Sequence, residues 1–139
     1  MNLKKIAGGI LLSSLLFIIS CTKSDETKPG TDDADKFVGS WICTEKVFDP
    51  KTSSYVASGT FTINISKASA SSISIANFNN TKETVTAQVS GSVLTILSQT
   101  KNGITFDGNG SLSGGTLSMS YSVDDKQTKQ SYTASCTKQ

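Results

Sequence analysis

Few residues in this chain are equipped for chemistry, and those few stand apart from one another. None of the 139 residues is histidine or arginine, so the side chains most used as proton shuttles, metal ligands and anion clamps are missing. Three cysteines are present, Cys21, Cys43 and Cys136. No CxxC spacing joins any of them, which argues against redox catalysis. Asp32, Asp33 and Asp35 crowd carboxylates together as a calcium loop does, but no glycine and bidentate glutamate follow at EF-hand spacing. Asp107 and Glu83 could in principle supply the two carboxyls of a glycosidase, yet Asp107 has outward parity and nothing in the sequence joins it to Glu83. Glu45 is a lone charge of inward parity, suited either to orienting a ligand or to meeting water near a strand end. The residues therefore argue against an enzyme and imply no cofactor and no metal.

The elements that must position these side chains are strands. From Phe37 onward apolar residues recur with period two and turn residues interrupt them every 8 to 14 positions, the pattern of an all-β domain. Strands are predicted at 41–48, 55–66, 73–78, 83–90, 93–98, 104–113, 116–123 and 131–138. Asp49-Pro50, Asn79-Asn80, Gly91-Ser92, Asn102-Gly103 and Gly114-Gly115 supply turns, with Asn102-Gly103 the strongest hairpin signal. Short turns make successive strands antiparallel. An open meander of eight strands would expose two long edges, so the expected architecture is an up-and-down meander curled into a small barrel.

Within that frame Leu117, Met119, Tyr121 and Val123 alternate with Thr116, Ser118, Ser120 and Ser122, which separates inside from outside. Gly108 and Gly110 interrupt the sixth strand and mark a barrel corner. Val93, Leu94, Ile96 and Leu97 put apolar side chains on both faces of the fifth, which fits a covered outer surface, a bulge or a contact patch. Cys43 shares the parity of Trp41, and Cys136 that of Tyr132 and Ala134, so closure would bring both thiols inward on neighbouring strands. They form either a disulfide closing a loop of 93 residues or two small buried thiols. An eight-stranded interior either fills with side chains or holds one small ligand. Here Trp41, Tyr55, Phe61, Phe106, Met119, Tyr121 and Tyr132 compete for the space.

The amino-terminal segment has its own pattern. Lys4 and Lys5 precede an apolar run over 6–19 that ends in Ser20-Cys21. This resembles the signal peptide of a bacterial lipoprotein, and the run is too short to span a bilayer. The resemblance implies that 1–20 are removed, that Cys21 is acylated on its thiol and new amino terminus, and that the acyl chains hold the protein on a membrane. Residues 21–36 are polar and read as a flexible tether, leaving 37–139 as the domain. Two of the 13 lysines lie in the leader, so the remaining 11 balance 11 acidic residues. A neutral chain without a basic patch lacks the attraction that binds a phosphate backbone, which excludes nucleic acid as a partner. Lys23-Ser24-Asp25-Glu26 resembles the charged tag that routes some lipoproteins to the outer cell surface, and reads equally as solvated linker. Outer-membrane attachment is expected, with the cell surface favoured over the periplasmic face.

Gly39-Ser40-Trp41 at the start of the first strand, the eight-strand layout and the closing Tyr132-Thr133-Ala134-Ser135-Cys136 segment resemble the lipocalin-like domains of small bacterial lipoproteins. The resemblance implies that Trp41 packs across the closed end of the barrel. It departs from full-length lipocalins in lacking the helix after the barrel and the arginine that covers the tryptophan. A binding module would use Trp41, Tyr55, Phe61 and Tyr121 as walls for a small apolar molecule or a glycan fragment. The alternative is a protein-interaction or inhibitor module with a packed barrel, recognising an envelope protein through the 51–54 and 124–127 loops or the fifth strand.

Overall fold

The computed structural model describes residues 32–139. Eight strands follow a short 3-10 helical turn at Asp33–Lys36. They are β1 (Gly39–Asp49), β2 (Ser54–Ser69), β3 (Ser72–Phe78), β4 (Glu83–Ser90), β5 (Val93–Lys101), β6 (Ile104–Ser113), β7 (Thr116–Asp124) and β8 (Lys129–Lys138). Each pairs antiparallel with the next, and β1 pairs back onto β8 from Trp41–Lys138 to Val47–Tyr132, closing the barrel. The two-residue alternation explains the burial: Leu117, Met119 and Tyr121 of β7 point in, while Ser118 and Ser120 point out.

The interior is filled. Ile63, Ile73, Ile75, Val85, Leu94, Phe106 and Leu117 are 0% exposed, and a side chain bordering a water-sized void would keep some accessible surface. Of the two interiors the sequence allows, the packed one is observed around these residues. Cys43 and Cys136 face each other across the β1–β8 seam and are joined by a disulfide, so the paired alternative holds.

One end of the barrel is plugged by the chain that enters it. Ala34 and Phe37 are fully buried, the Ala34 N–H donates to the Ala70 carbonyl, and the Trp41 indole N–H donates to the Phe37 carbonyl at 2.8 Å. Trp41 therefore lies at the closed end. The Lys138 ammonium sits 5.5 Å from its ring centroid, so a lysine covers the tryptophan in a chain that has no arginine. The Asp cluster serves the same plug: Lys67 pairs with Asp32 and Asp35, and Asp33 accepts the Gly91 N–H at 2.8 Å. Consequently Asp32–Lys36, expected to be the last part of the tether, belong to the domain. The small Ala34 fits the barrel end, a role that a search for large apolar residues overlooks.

Four irregularities shape the sheet. Ser58 and Ala68 are extra residues in β2, Asn77 is extra in β3, and Leu97-Ser98 face a single residue of β6. The last is the bulge among the readings of the fifth strand. Before it the strand alternates plainly, with Leu94 and Ile96 inside and Val93 and Leu97 50% and 64% exposed outside. Gly108 and Gly110 face a close approach of β7: a Cβ on Gly108 would lie 2.6 Å from the Ser120 carbonyl oxygen and 2.5 Å from the Tyr121 Cβ. The β4–β5 ladder ends after Gln88–Thr95, and the Gln99 amide continues it by accepting the Thr86 N–H at 2.9 Å and donating to the Thr86 carbonyl at 2.8 Å.

Because the disulfide joins residues 93 apart, replacing both Cys43 and Cys136 by alanine should lower the unfolding free energy by about 4 kcal/mol in denaturant titration. Unchanged stability would show that the crosslink constrains the unfolded chain far less than its loop length requires.

Candidate binding site at the open end of the barrel

Opposite the plug, the barrel end carries a polar group where the alternation calls for an apolar one. Glu45 points inward from β1 and is only 4% exposed. The sheet around it is loosened. Across from it β2 bulges at Ser58, and β3 leaves β2 beyond the Asn64–Ala76 pair. Asn77, at φ 58°, spans the resulting gap by donating its side-chain amide to the Thr62 carbonyl at 2.9 Å. Asn79 and Asn80 then turn the chain at φ 51° and 54°, the left-handed region that asparagine tolerates.

This turn aims Asn79 into the barrel end, where its amide donates to Glu45 Oε1 at 2.8 Å. The Tyr121 hydroxyl from β7 donates to the same oxygen. Tyr121 is in turn held by Phe78, 4.6 Å away between ring centroids, and by Tyr132, stacked at 5.5 Å with the planes 13° apart. Among the described residues no lysine pairs with Glu45. Among the described residues both side-chain donors to Glu45 reach Oε1, and no buried side-chain oxygen or nitrogen lacks a partner, so Oε2 keeps access to solvent. It opens on a cleft of about 270 Å³ lined also by Ser58, Gly59, Thr60, Phe61, Asn79, Asn80 and Tyr132.

The electrostatics keep the phenols neutral. Burial, and then the hydrogen bond to Glu45, push the Tyr121 hydroxyl well above the ordinary tyrosine range. Tyr132 is raised too, by burial first and then by the charges of Glu45 and Asp125. The end of the barrel is thus a carboxylate, neutral donors and aromatic faces, with no cation in its lining.

The residues expected to form one site are dispersed. Phe61 lines the cleft and Tyr121 stands behind Glu45. Trp41 is at the opposite end and forms no part of it. Tyr55 is 42% exposed on the outer face of the sheet, edge-on to Phe48 with centroids 5.4 Å apart. It is excluded from the interior because the bulge at Ser58 changes the parity of β2 before it. Cys43 and Cys136 are the structural crosslink, and Cys21 lies outside the described residues. Asp107 and Glu83 are not brought together: Asp107 meets Ser122 and Lys129, and Glu83 accepts from Asn102 at 2.7 Å. Asn79 was legible only as a turn residue. The signal pointing to it was Glu45 itself, since a buried carboxylate requires donors that β1 does not supply.

No family model and no curated relative matches the chain. Among solved structures, the zebrafish ileal bile acid-binding protein complexed with cholic acid aligns at 13% identity, covering 75% of this chain and 99% of that one, with a TM-score of 0.44. The barrel itself is read from the strand pairing of this chain.

The folded protein holds the Tyr121 proton to higher pH than the unfolded chain does. Its contribution is therefore complete below the unfolded tyrosine value of about 10 and is lost as pH rises beyond it, by at most about 1.4 kcal/mol per pH unit. Tyr121→Phe should flatten this alkaline decline in urea titrations at pH 9 to 11. An identical decline in the variant would assign it to other groups.

Proposed function

We propose that this chain is an exported lipoprotein, held on the outer membrane through acylated Cys21 with the cell surface as its favoured face, and that its barrel is a non-catalytic binding module. The ligand site is the open-end cleft, and the ligand is a small glycan fragment. The filled interior supports this choice over an apolar molecule carried inside, because seating one would require displacing side chains already close-packed. Phe61 and Tyr132 offer ring faces, while Glu45, Ser58 and the asparagine amides offer acceptors and donors to a ring rich in hydroxyls. The observation that carries the reading is Glu45, buried yet with one carboxylate oxygen left to the cleft. The absence of histidine and the separation of Asp107 from Glu83 support the non-catalytic assignment.

Calorimetric titration with a panel of neutral and amino disaccharides should give saturable heat from at least one. Tryptophan fluorescence should stay unchanged, since Trp41 is at the other end of the barrel. If no sugar binds while a stoichiometric protein is recovered from membrane extracts, the second reading takes its place. That reading is an interaction module using the exposed Val93 and Leu97 of β5. For the anchor, Cys21→Ser should abolish incorporation of labelled palmitate, and undiminished labelling would remove Cys21 from the account.

A further inference from the structure

We propose that the ligand of the open-end cleft carries an ammonium group and that Glu45 Oε2 receives it. This rests on the reading of the cleft as the ligand site and names the chemistry that the site selects. A carboxylate taken out of water is costly unless it is paired, and the two donors it meets here, the Tyr121 hydroxyl and the Asn79 amide, are both neutral and both directed to Oε1. The other oxygen faces the cleft without a protein cation. A ligand ammonium would complete the pair that the fold leaves half-made.

The rest of the lining fits the same group. The Ser58 hydroxyl and the Asn80 side-chain carbonyl are acceptors for the remaining N–H bonds, and Tyr132 lines the same cleft with an aromatic ring. No lysine lines the cleft, so nothing there repels a cation or attracts an anion. The phenols of Tyr121 and Tyr132 add no positive charge, and Asp125, on the far side of Tyr132, adds a negative one. A bare divalent ion is a poor match, because it takes several oxygen ligands and the cleft offers a single carboxylate. An ammonium fixed to a small organic frame needs only one. The same group can come from an amino sugar or from a linear amine.

The experiment titrates the folded protein by calorimetry with the disaccharide of glucosamine, its N-acetylated counterpart, and spermidine, using the parent chain, Glu45→Gln and Ser58→Lys. Glu45→Gln keeps an acceptor for Tyr121 and Asn79, and Ser58→Lys adds a positive charge at an exposed lining position. Losing a charged hydrogen bond costs enough that the amine-bearing ligand should bind about tenfold more weakly to either variant. N-acetylation, which removes the charge and keeps the ring, should weaken binding to the parent chain by a similar factor. Equal binding of the acetylated and free sugars, or full affinity in both variants, overturns the ammonium assignment while the glycan reading stands. Binding of spermidine alone, lost in the variants, supports the ammonium and overturns the glycan. No binding by any of the three overturns both. Should Glu45→Gln fail to fold, Ser58→Lys reads the same charge effect from the rim of the cleft.

Discussion

Strand β1 meets β8 along a continuous antiparallel register, and the other features of the molecule depend on that closure. An eight-strand meander left open would present two rows of unpaired backbone donors and acceptors to solvent or to another chain. Joining them turns one face of every strand inward at once, so a single parity rule decides burial around the whole circumference. It also places the two domain cysteines opposite each other, and the crosslink then fastens the pairing with the greatest separation in sequence. The same closure divides the molecule into two ends, and those ends have different chemistry.

At one end the entering chain supplies the lid: Ala34 and Phe37 fill it, Trp41 is tied to the Phe37 carbonyl, and charged side chains tack the turn to β2 and to the β4–β5 turn. The middle is hydrocarbon. The far end has no lid, and there the chain places a carboxylate, two asparagines and two stacked tyrosines. Three of the sheet's irregularities, at Ser58, at Asn77 and at Leu97-Ser98, fall in the half of the barrel that contains Glu45. Pairing is relaxed chiefly where the polar group sits, and the fourth irregularity, at Ala68, falls beside the plug. Side-chain amides from Asn77 and Gln99 stand in for the missing backbone bonds, keeping the loosened half hydrogen-bonded without narrowing it.

Most of the fold could be read from the residues, because alternation and turn chemistry are local. Leu117 to Val123 declares its inward face without ambiguity, Asn102-Gly103 fixes a hairpin, and the parities of Cys43 and Cys136 pointed to the seam. What escaped were consequences of single inserted residues. A bulge shifts parity by one, so Tyr55 counted as interior lies outside, whereas the apolar residues on both faces of β5 from Val93 to Leu97 follow plain alternation ahead of its bulge. The ordered start at Asp32 was also hidden, since its anchoring comes from one alanine and from ion pairs with residues distant in sequence. The site was half legible. Glu45 and Tyr121 were marked by parity, but Asn79 is defined by a turn whose left-handed backbone aims it inward, and no period encodes that direction.

The lid at the closed end has a geometric corollary. Because the chain comes in through Asp33–Lys36, Asp32 lies at the pole opposite Glu45. The plug and the mouth that holds the carboxylate therefore lie at opposite ends of the barrel. A molecule seated in that mouth would leave the plug and its ion pairs untouched.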